Sequence, residues 1–73
     1  MEHVNGTPVY RTTAFDVQEG DTLINKDTAV QSMVVEARTV EVRRFELENG
    51  TVLYMPSSTD MLVVDQDFQE VPA

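Results

Sequence analysis

Few residues in this chain could do chemistry, and most of them lack partners. Asp65, Asp67 and Glu70 read D-x-D-x-x-E. Carboxylates at that spacing suit a hard divalent cation. A calcium loop also needs a glycine bend and a closing glutamate at a fixed offset, and both are missing. A solvated acidic tail is the plainer reading. Ser32, Ser57 and Ser58 are the serine hydroxyls, and His3 is the one imidazole. A Ser-His-acid arrangement therefore requires the N-terminus to pack beside "PSSTD". There is no cysteine, which removes disulfides and thiolate zinc sites. We read the chain as a non-catalytic protein with no cofactor and no metal.

Arg43-Arg44 is the only basic doublet. Its flanking acids Glu41, Glu46 and Glu48 favour cross-strand ion pairs. The sharper reading is an anchor for a partner, because Arg is enriched at interface hot spots. With two apolar neighbours on the next strand, Arg43, Arg44, Tyr54 and Met55 are the candidate protein-binding residues.

Thirteen acids against five bases give a net charge of −8. That field repels phosphate backbones and anionic membranes, so direct nucleic-acid binding is not expected. A basic protein surface is the better match. "MEHVNGTPVY" lacks a basic start and an apolar block, and no apolar run approaches a membrane span. The expected location is the cytoplasm, with no membrane partner.

What must position these residues is a single small domain. Seventy-three residues bury only about 60% of the unfolded surface, so the core is thin. Residues 1–64 form the expected domain and 65–73 an acidic tail. Val, Thr, Ile, Phe and Tyr recur in short runs bounded by turn residues. Strands are predicted at 2–4, 7–14, 22–25, 29–36, 40–47, 51–55 and 61–64. "KDTAVQSMVVEARTVEVRR" also admits a partial helix, but its β-branched residues favour strand. Along 40–47 the apolar parity switches from Val40 and Val42 to Phe45 and Leu47, which predicts a β-bulge at Arg43-Arg44. The fold class is all-β: a small, strongly bent antiparallel sheet or SH3-like barrel of five to seven short strands. Its predicted core is Val9, Phe15, Val17, Leu23, Ile24, Val30, Val34, Val40, Val42, Phe45, Leu47, Leu62 and Val64.

The order "DVQEGDTLI", "AVQSMVVE", "TVEVRRFELENGTVLYMP", "DMLVV" resembles small SH3-like β-barrel proteins of actinobacteria and their bacteriophages. The likeness rests on Gly20-Asp21, the Val-rich strand pair, the Asn49-Gly50 hairpin and Asp60 to Val64. It covers roughly residues 15 to 65. It implies a fold and a viral source, and it carries over no functional residue.

"MVV", "TVLYM" and "MLVV" are apolar on both strand faces, and such strands are usually covered on both. Either the chain's own loops cover them or another chain does. The expected function is a non-catalytic protein-binding module, a small phage or bacterial protein that self-associates or docks on a host protein through the 40–55 hairpin. The alternatives are a nucleic-acid-related role, as an acidic phosphate mimic or an SH3-like RNA binder, and a structural phage component. The hairpin has two registers. A two-residue turn at Asn49-Gly50 pairs Phe45 with Tyr54. A three-residue turn with a Gly50 bulge pairs Phe45 with Leu53 and sets Arg44 beside Tyr54. We favour the second.

Overall fold

The computed structural model describes residues 2–66. It contains seven strands: β1 (Glu2–Val4), β2 (Thr7–Thr13), β3 (Thr22–Ile24), β4 (Gln31–Val40), β5 (Val42–Leu47), β6 (Val52–Met55) and β7 (Asp60–Val64). They form one antiparallel sheet in the order β1-β2-β7-β3-β4-β5-β6. β1 and β6 end the sheet and no ladder joins them, so the sheet is open and not closed into a barrel. The 65–73 tail falls mostly outside the described residues, Asp67 and Glu70 with it.

The triplet Asn-Gly-Thr occurs twice and makes two different turns. Asn5 (φ 50°) and Gly6 (φ 85°) both lie in the left-handed region, and Val4 pairs with Thr7. That is the two-residue hairpin turn that Asn-Gly favours. At the second site only Gly50 (φ 89°) is left-handed. Leu47 N–H donates to the Thr51 carbonyl, Gly50 N–H donates to the Leu47 carbonyl, and the Asn49 side chain accepts from Thr51 N–H. Neighbours explain the difference. Glu48 N–H donates to the Met33 carbonyl and Asn49 N–H to Ser32 Oγ, so this turn is tied to β4.

β4 is the longest strand, and it serves two partners. Its Gln31–Met33 end pairs with β3, and Val34 to Val40 pairs with β5. The β4–β5 register shifts between Val34 and Glu36, leaving Val35 as the extra residue. The bulge therefore lies in β4, not at Arg43-Arg44. The parity switch has another cause. Glu41, at φ 68°, reverses the chain, and Val40 faces Val42 across a one-residue turn. The two valines belong to different strands, so no single strand changes face.

Alternation along β3 and β7 sends neighbouring apolar residues to opposite faces. Leu23 and Val63 join Ala14, Val17, Val34, Phe45 and Leu47 in one core cluster. Ile24 and Leu62 join Val4 and Val9 in a second, on the other face. The chain itself thus covers both faces of β3 and β7. Phe15, Val30 and Val40 are not core residues: they are 68%, 56% and 48% exposed. Val42 and Val64 are half-buried. At the end of β2, Ala14 N–H donates to the Thr59 carbonyl and Phe15 N–H to the Ser57 carbonyl. That turn takes Ala14 inward and leaves Phe15 out. Val30 follows the left-handed Ala29 in the β3–β4 turn, and Val40 sits at a hairpin tip.

Candidate protein-binding face

β4, β5 and β6 form a three-stranded meander, and register decides which side chains share a face. Residues opposite one another across the ladders form two outward rows. One runs Arg38, Arg44, Tyr54, and the next runs Glu36, Glu46, Val52. The hairpin has the three-residue turn, so Phe45 pairs with Leu53 on the inner side.

Arg44 is the hub of the outward face. Its Nε donates to the Tyr54 hydroxyl at 3.3 Å, and its guanidinium carbon lies 5.9 Å from the Tyr54 ring centroid. Its Nη1 lies 3.5 Å from Glu36 and 3.9 Å from Glu46. Arg38 pairs with the same Glu36 carboxylate. The hydrogen bond to Tyr54, acting against desolvation and joined by the charges of Tyr54, Glu46 and Glu36, raises the Arg44 pKa. Arg44 is a cation, as arginine side chains are throughout the working pH range. Tyr54 is 63% exposed, with the Arg44 guanidinium beside its ring. Val35, Val40 and Val52 are also exposed.

Arg43 and Met55 oppose one another on the inner side of the same two strands. The Arg43 Nε donates to the Ala14 carbonyl at 2.9 Å, and Nη2 donates to the Val17 carbonyl. Its guanidinium also lies 5.1 Å from the Phe45 ring centroid. Arg43 thus fastens the loop after β2 to β5, and it is spent on that loop, not offered to a partner. Met55 packs against the first core cluster. The four candidate residues divide into two pairs, and only Arg44 and Tyr54 share the outward face.

A groove of about 650 Å³ opens beside the inner side of β6. Leu53 and Met55 of β6 line it together with Leu23, Met61 and Leu62 of β3 and β7. Sequence reading missed it, because the groove depends on how two distant strands approach each other.

No protein-family model, curated protein or solved structure matches the chain.

The hydroxyls considered for catalysis have other surroundings. Ser32 Oγ accepts from Asn49 N–H. His3 pairs with Pro8 at the start of β2, whereas the Ser57 carbonyl meets Phe15 beyond its end. At strand rise that separation is roughly 20 Å, so His3 and Ser57 do not assemble. Among the described residues no helix is long and apolar enough to cross a membrane, and no cluster of His, Cys, Asp and Glu could hold a metal ion.

Proposed function

We propose that this chain is a non-catalytic protein-binding module that docks a partner on the outward face of β4, β5 and β6. The observation that carries the reading is Tyr54: a large ring exposed at the sheet surface, hydrogen-bonded by Arg44, with the exposed Val52 two residues before it on the same strand. A fixed aromatic with an Arg beside it is the usual form of an interface anchor, since little side-chain entropy remains to be lost. The net charge of −8 steers a partner with a basic surface. The resemblance to small SH3-like proteins of actinobacteria and their phages rests on the sequence pattern alone, and it favours a host protein in the cytoplasm as the partner we propose.

The test is affinity capture from a host lysate with mass spectrometry. A protein captured by the natural chain should be lost with Tyr54→Ala and with Arg44→Ala. It should be retained with Phe15→Ser, which removes an equally exposed ring away from this face. Capture that survives Tyr54→Ala but fails with Phe15→Ser would overturn the proposal.

A further inference from the structure

The free edge of β6 carries an inference beyond the outward face, independent of what docks there. Leu47 N–H donates to the Thr51 carbonyl, so that pair is a hydrogen-bonded one. Such pairs alternate along an antiparallel ladder. Phe45–Leu53 and Arg43–Met55 are then the next hydrogen-bonded pairs. Val52 and Tyr54 must aim their N–H and C=O groups the other way. β6 is the last strand of the sheet, and among the described residues β5 alone pairs with it.

Sheet edges are normally blunted by charge, proline or a bulge. "VLYM" carries no charge and no bulge, and Pro56 merely bounds it. The opposite edge is guarded: β1 is three residues long, and its Glu2 pairs with Arg11 at 2.8 Å.

We propose that two copies of this chain pair antiparallel through β6, about a two-fold axis at Leu53. This register sets Val52 against Tyr54 of the second copy, and Tyr54 against Val52. All four outward backbone groups of each strand are then satisfied. A pairing centred on Tyr54 sets Val52 against Pro56, which has no N–H to give. A pairing centred on Val52 runs Tyr54 into Gly50 of the turn.

Charge selects the same register. The row Arg38, Arg44, Tyr54 continues into Val52, Glu46, Glu36 of the second copy, and the symmetric row does the reverse. Cationic ends meet anionic ends across the new ladder, with an aromatic–β-branched pair at each junction. The Tyr54 centre joins Arg row to Arg row, and the Val52 centre joins Glu row to Glu row. The arrangement closes on itself, because each copy has one such edge.

Sedimentation of the natural chain should show a dimer, and Val52→Lys should give a monomer with an unchanged circular-dichroism spectrum. The absence of native cysteine permits a sharper test of register. At a non-hydrogen-bonded pair on the axis, the two Cα atoms lie about 4.5 Å apart, within disulfide range. Two copies of residue 54 lie on a diagonal, roughly 7–8 Å apart, beyond easy bridging. Mild oxidation should therefore cross-link Leu53→Cys into a dimer and leave Tyr54→Cys largely unlinked. A monomer at millimolar concentration would overturn the proposal, as would a dimer that cross-links at residue 54 in preference to residue 53.

Discussion

Arg44 and Tyr54 stand directly opposite one another on β5 and β6, and the Arg44 Nε donates to the Tyr54 hydroxyl at 3.3 Å. Arg43 and Met55, one step along the same ladder, oppose each other on the inner side. Two adjacent arginines thus do unrelated jobs. One presents a ring to solvent and the other fastens a loop.

That division predicts opposite outcomes for two similar substitutions. Arg43→Ala removes charge-assisted bonds to the Ala14 and Val17 carbonyls and the contact with the Phe45 ring. A hydrogen bond from a charged donor contributes about 1.5–3 kcal/mol. For a domain of this size each kcal/mol moves Tm by about 4–8 °C. Arg43→Ala should lower Tm by about 10 °C or more in a thermal melt.

Tyr54→Ala should hardly change the melt when read at a concentration where the chain is monomeric, because the ring is exposed there and its bond with Arg44 lies at the surface. Surface substitutions of this kind stay within about 0.5–1 kcal/mol. Its effect should fall on partner capture. A Tm loss as large as that of Arg43→Ala would show that the pair serves the fold.

Glu41 offers a stabilising change. Its φ of 68° closes the one-residue turn between Val40 and Val42. A left-handed residue with a Cβ costs about 1–2 kcal/mol, and glycine adopts that region freely. Glu41→Gly should raise the urea midpoint, with a gain near 1 kcal/mol at unchanged m-value.

Phe45 is the largest side chain with no exposure, and it sits at the centre of the first cluster. Phe45→Ala should cost about 3–5 kcal/mol. In a domain with so thin a core, that is enough to abolish the cooperative melt.

Much of this fold was legible in local sequence. The β-branched runs and turn residues place seven strands, six of them close to their observed bounds; β4 is a strand despite its partial helical pattern, but it runs to Val40, four residues past its expected end at 36. The hairpin takes the expected three-residue turn, and this register sets Arg44 beside Tyr54. What failed was non-local. The parity switch near Arg43 predicts a bulge, because nothing in "TVEVRR" announces that Glu41 reverses the chain. The type of Phe15 predicts a core position, whereas a turn fixed by Ser57 and Thr59 sends it out. The opposite roles of Arg43 and Arg44 follow from strand alternation. That Arg43 meets the Ala14 and Val17 carbonyls depends on a loop some 26 residues away in sequence.

The central claim, that the outward face of β4, β5 and β6 binds a protein partner, is tested most directly by amide chemical-shift mapping of the chain against its captured partner. The predicted shifts centre on Glu36, Arg38, Arg44, Glu46, Val52 and Tyr54, with Val4, Val9 and Ile24 unmoved. Shifts confined to the β1–β2 hairpin or to Phe15 and its neighbours would contradict it.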